Sequence, residues 1–192
     1  MPLLLASESP RRKHLLAQLT DDLQIEAAQV EELTAAADMS PVQVAMYNAA
    51  LKADAAAVKH KKCWVLGADT IVVMDGRVYG KPADLAEARE FLQKFSGRTH
   101  EVVTAVALRR AEDNASYDFT AVSHVRFRQL SDEVINEYLS LVPVLDKAGA
   151  YGIQEYGDML VESLDGELEN VIGLPVEKLK QAFDLLGIAY KH

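Results

Sequence analysis

The chain has 192 residues, 49% of them hydrophobic and 26% charged, with a net charge of −9 and one cysteine. This length and apolar content can bury a sizeable core, in one domain or two small lobes. The acidic balance argues against broad non-specific binding to nucleic acid, and a single cysteine excludes a disulfide framework or a thiolate metal cage. No run is long and apolar enough to cross a membrane and no export signal is evident, so the sequence predicts a cytoplasmic protein.

The first informative stretch predicts a strand that leads directly into a helix. Leu3–Ala6 is typical of a buried strand, and Ser9-Pro10 is a strong helix start. The free N–H groups and partial positive charge of a helix N-terminus favour an anion. Cations are mildly unfavourable in that first turn, yet it carries three of them: Arg11, Arg12 and Lys13. Two interpretations stay open, a bound polyanion such as a phosphate chain and a solvated basic turn.

The rest of the chain alternates between helical and strand patterns. Helices are predicted from Ser9 to Leu19, Ser40-Pro41 to about Val58, Asp84 to Phe95, Ser131 to Leu141 and Pro175 to Leu186. Strands are predicted at Leu23 to Ala27, Val102 to Leu108 and Ser116 to Phe127. Helices mixed with strands in this way predict an α/β fold around one mixed sheet.

The second informative stretch lies between Trp64 and Pro82. Apolar runs flank what looks like a break at Gly67-Ala68-Asp69-Thr70, and Asp75-Gly76 marks a hairpin turn. A partly buried Asp69 would need a partner or a metal ion. Lys81 follows, held between a glycine and a proline.

The charged residues beside small or turn-forming residues predict an anion site. The cations are Arg11, Arg12, Lys52 and Lys81, and the carboxylates are Glu32 and Asp69. Cations that hold phosphates and carboxylates that hold Mg²⁺ and activate water are the minimal set for hydrolysing a phosphoanhydride. Neither common nucleotide-binding glycine motif is present, and no phosphatase nucleophile motif is evident. Each residue alone also has an ordinary structural explanation, so the pattern predicts an anionic-ligand site and leaves metal assistance open.

Seven short motifs together resemble the Maf family of nucleoside triphosphate pyrophosphatases, in the family's order and across nearly the whole chain. They are Ser7-Glu8-Ser9-Pro10-Arg11-Arg12, Ala49-Ala50-Leu51-Lys52-Ala53, Gly67-Ala68-Asp69-Thr70, Gly80-Lys81-Pro82, Ser96-Gly97-Arg98, the stretch from Asp146 to Gln154, and Val171-Ile172-Gly173-Leu174-Pro175. The resemblance implies one Maf-like domain over residues 1–192, with a mixed twisted sheet, flanking helices and two lobes around a cleft, as in the inosine-triphosphate pyrophosphatases.

The resemblance also implies a reaction and the residues that carry it. A nucleoside triphosphate would be cleaved between its α and β phosphates with Mg²⁺, which limits incorporation of unwanted nucleotides into nucleic acids. Asp69 would be the general base, and Glu32 would share the metal with it. The triphosphate would be held by Ser7, Arg11, Arg12, Lys52 and Lys81. A homodimer is what the family suggests.

Three positions resemble the family branch that acts on dTTP and UTP: Arg11, Thr70 and Gln154. The branch acting on 7-methyl-GTP is similar overall but has tryptophan, glutamine and glutamate there. Glutamine and threonine can read the carbonyl and N–H edges of a pyrimidine, and loss of such pairing discriminates between bases. Two positions depart from the family pattern. Asn48 stands where an apolar residue is usual, and Glu155 stands where glycine is usual, which leaves the base preference open.

Two other functions compete with a dTTP/UTP pyrophosphatase. The chain could be a nucleotide-binding regulator of septation with incidental hydrolysis, or it could perform the same chemistry on another base such as 7-methyl-GTP. Turnover at cellular substrate levels separates the regulator from the enzyme. A phosphatase that releases inorganic phosphate is a weaker alternative, because nothing in the chain resembles a phosphatase nucleophile motif.

Overall fold

The computed structural model of the chain describes residues 2–33 and 38–191. Within these residues the strands are β1 (Leu3–Leu5), β2 (Leu23–Ile25), β3 (Trp64–Met74), β4 (Arg77–Tyr79), β5 (Thr99–Arg110), β6 (Ala115–Phe127) and β7 (Val161–Asp165). The helices are α1 (Pro10–Leu19), α2 (Pro41–Ala57), α3 (Leu85–Phe95), α4 (Asp132–Leu141), α5 (Gly157–Leu160), α6 (Leu168–Ile172) and α7 (Val176–Leu186), with a 3-10 turn at Ala148–Ala150. No helix in this described part is long and apolar enough to cross a membrane.

The strands form one sheet in the order β2-β1-β3-β5-β6-β7, with β4 paired to β3. Strand β1 is parallel to both neighbours, so that Leu4 lies opposite Gln24 on one side and Val65 on the other. Strand β4 is antiparallel to β3, and β7 is antiparallel to β6. A sheet with both strand directions and attached helices confirms the predicted mixed α/β fold.

The five predicted helices start where the local sequence indicates, whereas α5 and α6 were not predicted. Ser40 forms a capping box, in which its hydroxyl accepts from the Gln43 N–H and the Gln43 side chain accepts from the Ser40 N–H. Asp84 and Ser131 cap α3 and α4 through side-chain oxygens. Caps depend on neighbouring residues alone, which is why they can be read from sequence.

The predicted break at Gly67–Thr70 is wrong, because β3 continues through it from Trp64 to Met74. The hairpin turn at Asp75-Gly76 is correct, since β3 and β4 pair on either side of it. The glycine in the middle of β3 serves a contact with a helix rather than a turn, as the site geometry below shows.

Strand β7 was not predicted, and its composition explains why. It lies at one end of the sheet order, and three of its five residues are exposed: Glu162, Ser163 and Asp165. An edge strand with so many polar side chains lacks the hydrophobic alternation by which strands are recognised.

The chain packs as two compact units. Unit 1 comprises Met1–Asp69, Thr104–Ala121 and Gly173–His192, and unit 2 comprises Thr70–Val103 and Val122–Ile172. The core of unit 1 includes all of β1, with Leu16 and the only tryptophan, Trp64. The core of unit 2 is aromatic, where His100 stacks on Phe95 at 4.5 Å between ring centroids. A single domain over residues 1–192 stays a prediction.

Candidate active site

The turn between β1 and α1 is ordered by two serines. The Ser9 hydroxyl caps α1 by accepting from the Arg12 N–H at 3.4 Å. The Ser7 hydroxyl accepts from the Ser9 N–H at 3.2 Å, which fixes the chain just before the helix begins. The predicted strand-to-helix transition is therefore present, with a capped helix N-terminus after a buried strand.

Arg12 does not belong to a solvated basic turn. Its Nε donates to the carbonyl of Gly173 at 2.9 Å, and its Nη1 donates to the Ser7 hydroxyl at 3.4 Å. Burial lowers the pKa of the Arg12 guanidinium, and the negative charges of Asp69 and Glu32 oppose this effect. Arg12 is therefore a desolvated cation that interacts electrostatically with two carboxylates, as expected in a charged site. Lys13 of the same turn is exposed.

Lys52 lies at the centre of the cluster and is not a surface lysine. The residue is only 8% exposed. Its ammonium donates to the Ala68 carbonyl at 3.3 Å and lies 3.0 Å from Asp69 Oδ1 and 2.6 Å from Glu32 Oε2. Lysine is rarely buried unless it is paired, and here two carboxylates provide the pairing.

Gly67 allows this cluster to form. A Cβ atom at this position would lie 2.2 Å from the Ala49 carbonyl oxygen and 2.8 Å from the Ala53 nitrogen. Helix α2 thus packs its backbone directly against β3, and only glycine leaves room for it. This contact brings Lys52, on α2, against Asp69, which lies two residues after Gly67 on β3.

Asn48 is a member of the cluster that sequence reasoning noted only as a departure from the family pattern. Its side chain is buried, and it donates to Asp69 Oδ2 at 3.4 Å. It also forms two hydrogen bonds with the Leu33 backbone. Its spacing of four residues before Lys52 was an available signal, because residues i and i+4 share one face of a helix.

The two carboxylates of this cluster fit a magnesium site. Glu32 and Asp69 both reach the same ammonium, so their oxygens converge on one cationic position. No group of three or more histidine, cysteine, aspartate or glutamate side chains suited to a metal ion occurs among residues 2–33 and 38–191. Mg²⁺ is commonly bound by one or two carboxylates, with water and substrate phosphates completing its coordination. The donor set therefore fits Mg²⁺ that is bound together with a phosphorylated substrate.

Unit 2 carries the other three predicted residues: Thr70, Lys81 and Gln154. Lys81 and Gln154 are exposed, and Thr70 is half-buried on β3. The Gly149 N–H donates to the Gly80 carbonyl at 3.0 Å, so the turn before Gln154 lies against the segment that carries Lys81. Gly149 has φ +70°, and its added Cβ would lie 3.0 Å from the Val72 side chain. The glycine is needed both for its backbone conformation and for this close approach.

A second buried lysine organises the loop that carries Gln154. Lys147 is 4% exposed, and its ammonium lies 2.9 Å from Asp146 Oδ1 and 3.3 Å from Glu155 Oε1. The Tyr138 hydroxyl accepts from the Gly152 N–H at 3.0 Å in the same loop, and burial raises the pKa of Tyr138 to about 12. The Glu155 charge is thus paired within the loop rather than left free beside Gln154.

The structure therefore divides the predicted residues into two groups. In unit 1, contacts link Ser7 to Arg12 and join Lys52, Glu32 and Asp69, while Arg11 is half-buried in the first turn of α1. In unit 2, Thr70, Lys81 and Gln154 lie on segments that pack around the 3-10 turn. The first group combines cations with converging carboxylates, which is suited to binding a phosphate chain and a divalent cation.

Comparisons with known proteins agree with these features. The family described as Maf-like protein matches residues 2–186. A protein of Akkermansia muciniphila named dTTP/UTP pyrophosphatase is 43% identical over 186 residues, which cover 97% of each chain. One of the same name from Bacillus cytotoxicus is 45% identical over 176 residues, covering 92% of this chain and 91% of the relative.

Among solved structures, the Staphylococcus aureus Ham1 protein is similar in fold, with a TM-score of 0.51 at 18% identity. That match covers 97% of this chain and 99% of the Ham1 chain. The profile match across nearly all residues and the identity to curated relatives confirm the resemblance found in the motifs. This chain is a member of the Maf family.

Proposed function

We propose that the protein hydrolyses dTTP and UTP to the monophosphate and pyrophosphate with the help of Mg²⁺. The observation that carries the proposal is the cluster in which the Lys52 ammonium lies within 3.0 Å of both the Glu32 and Asp69 carboxylates. Membership of the Maf family supports it, as do the relatives named dTTP/UTP pyrophosphatase at 43% and 45% identity.

The reaction adds water across the phosphoanhydride between the α and β phosphates. The water hydroxyl bonds to one phosphorus, the bond from that phosphorus to the bridging oxygen breaks, and the bridging oxygen leaves with the other phosphate group. Asp69 would accept the proton of the attacking water as general base. Glu32 and Asp69 would hold Mg²⁺, which when bound withdraws charge from the phosphate oxygens.

The cations would neutralise the triphosphate. Arg12 presents a guanidinium that Gly173 and Ser7 already orient, so it loses little freedom on binding a phosphate. Lys52 balances the two carboxylates in the free protein and would bind phosphate oxygens of the substrate when the metal site is filled. Arg11 and Lys81 would add further positive charge, and Lys81 is exposed.

Base recognition would rest on Arg11, Thr70 and Gln154. Gln154 offers both a donor and an acceptor, which suits the carbonyl and N–H edge that thymine and uracil share. The Glu155 carboxylate is paired with Lys147, so we expect it to stabilise the loop rather than repel the substrate. This arrangement favours pyrimidine triphosphates over GTP and 7-methyl-GTP.

A screen of canonical and modified nucleoside triphosphates with Mg²⁺ tests the proposal, with pyrophosphate and inorganic phosphate measured separately. We expect pyrophosphate from dTTP and UTP about tenfold or more above GTP and 7-methyl-GTP. Release of pyrophosphate mainly from triphosphates of other bases would support the proposed reaction and overturn the proposed base preference. Binding of nucleotide without turnover would overturn the enzyme and favour the nucleotide-binding regulator.

Two finer expectations accompany this function, a homodimer and a cytoplasmic location, and the family resemblance supports the first of them. We propose that the protein acts as a homodimer in the cytoplasm. Light scattering after size exclusion should give about twice the chain mass of 21.1 kDa. A monomeric mass would overturn the dimer, and recovery of the protein outside the cytoplasmic fraction of its host would overturn the compartment.

A further inference from the structure

Asn48 links three parts of unit 1 that are distant in sequence. It is a buried residue of α2, 3% exposed, and projects from the same helix face as Lys52 one turn later. Its Oδ1 accepts from the Leu33 N–H at 2.9 Å, and its Nδ2 donates to the Leu33 carbonyl at 2.9 Å. Its Nδ2 also lies 3.4 Å from Asp69 Oδ2.

The paired hydrogen bonds to Leu33 hold a segment that has no regular structure of its own. Residues 26–33 belong to no helix or strand. Leu33 directly follows Glu32, whose carboxylate is half exposed and reaches Lys52 at 2.6 Å. Because the Asn48 amide bonds both backbone groups of Leu33, it fixes the position and the orientation of the peptide next to Glu32. The side chain of Glu32 alone would leave that backbone free to rotate.

We infer that Asn48 is a positioning residue, which holds the Glu32 loop against Asp69 so that the two carboxylates stay together before substrate arrives. The inference rests on the proposed function, in which these carboxylates hold Mg²⁺. Side chains that orient metal-binding carboxylates through hydrogen bonds commonly change metal affinity tenfold or more when removed. An apolar residue of the same size could fill the space but could make none of these three bonds.

The chemistry of asparagine suits this position better than that of aspartate. An amide offers an acceptor for the Leu33 N–H and donors for both the Leu33 carbonyl and Asp69. Aspartate would keep the acceptor, lose the donors and place a further negative charge beside Asp69. The Asn48→Leu variant keeps the branched outline of the side chain, with larger methyl groups in place of the amide, and removes all three bonds.

Two measurements on the full chain test the inference without relying on turnover. The first is the hydrogen exchange rate of the Leu33 amide by NMR, and the second is the Mn²⁺ dissociation constant by electron paramagnetic resonance with α,β-methylene-dUTP present. Asn48→Leu should speed the exchange about tenfold or more and weaken Mn²⁺ binding about tenfold. Val44→Ala is the matched control, since Val44 is buried one turn earlier on α2 and is apolar. It should lower stability and leave both readouts within twofold.

The inference is overturned if either readout of Asn48→Leu stays within twofold of the unchanged protein, or if Val44→Ala shifts both readouts equally. Steady-state kinetics add a further criterion, because a positioning role raises the Mg²⁺ concentration at half-maximal rate with little change in the nucleotide KM. Failure of the proposed function is seen separately, as absence of pyrophosphate release by the unchanged protein.

Discussion

The two units differ in how they place their predicted site residues. In unit 1, Lys52, Glu32 and Asp69 are joined directly and are supported by a buried asparagine. In unit 2, the buried Lys147 pairs with the more exposed carboxylates of Asp146 and Glu155, while the predicted site residues Gln154 and Lys81 are exposed. Burying charge is costly, and an arrangement such as that of unit 1 is typical of chemistry that needs fixed charges. The arrangement of unit 2 is typical of recognition, in which a rigid loop presents side chains to a ligand.

The largest expected effect comes from removing the carboxylate at the centre of unit 1. Asp69→Asn should lower kcat about 10²- to 10⁴-fold, because the amide cannot accept a proton from water. Nucleotide affinity in a binding titration should change little, since the cations remain. Asp54→Asn is the control, as Asp54 pairs with Arg109 and is exposed. Full turnover by Asp69→Asn would exclude Asp69 as the base.

The next effect tests whether backbone packing builds the cluster. Gly67→Ala would place a methyl group 2.2 Å from the Ala49 carbonyl, so α2 must move away from β3. We expect ~3 kcal/mol of lost stability, the upper end of the usual range for overpacking, together with a fall in kcat. The loss of stability is measured by urea unfolding with Trp64 fluorescence as the probe, because Trp64 is the only tryptophan and lies in unit 1.

Gly80→Ala is the matched control for that change. Apart from Gly80 and its two chain neighbours, no heavy atom lies within 4 Å of an added Cβ at this position. The stability of Gly80→Ala should therefore stay within ~0.5 kcal/mol of that of the unchanged protein. Equal loss of stability in both variants would show that the close approach of α2 and β3 is not what Gly67 provides.

The sequence predicts local features of this molecule well and contacts between distant segments poorly. The helix start at Ser40-Pro41 and the turn at Asp75-Gly76 depend on adjacent residues, and both are correct. The predicted break at Gly67 is wrong, because this glycine allows close packing against α2, a helix that comes earlier in the chain. Strand β7 was missed because pairing with β6 sustains a segment whose own side chains are mostly polar.

The candidate site shows the same limit. Pattern alone predicts cations and carboxylates suited to an anion, and the family resemblance supplies the grouping of Glu32 with Asp69. Neither reveals Asn48 as a link, because its partner Leu33 lies 15 residues earlier in a segment without regular structure. The paired state of Glu155 is likewise a tertiary fact, since Lys147 is buried only in the folded loop.

His100, in unit 2, is expected to make the stability of the protein depend on pH. Burial lowers the pKa of His100 to about 4, and its Nε2 pairs with the Tyr151 hydroxyl at 2.8 Å. Below pH 6.5 the unfolded chain takes up a proton that the native His100 does not, so stability falls as pH drops from about 6.5 to about 4 and levels off below. The loss is on the order of 3 kcal/mol. Urea unfolding between pH 7 and pH 4 measures it.

His100→Gln should flatten that part of the pH profile, because glutamine can pair with Tyr151 and does not titrate. His124→Gln serves as the control, since His124 is exposed on β6. An unchanged slope in His100→Gln would assign the acid sensitivity to other groups.

The smallest expected effect concerns Glu155 and tests whether this residue affects base preference through the Gln154 loop. Glu155→Gln breaks the pairing with Lys147 but leaves that ammonium its contacts with Asp146 and the Pro143 carbonyl. We expect a stability loss below ~1 kcal/mol and a two- to fivefold fall in the kcat/KM ratio of dTTP to GTP, because the Gln154 loop loosens. Glu162→Gln is the control: it removes an exposed ion pair with Arg126 on β6 and should leave the ratio unchanged. If Glu155 instead repels the substrate, its neutralisation lowers KM for every nucleotide and leaves the ratio alone. The two roles of Glu155 are therefore distinguishable. A fall in the dTTP-to-GTP ratio indicates that Glu155 stabilises the loop, and a lower KM for every nucleotide indicates that it repels the substrate.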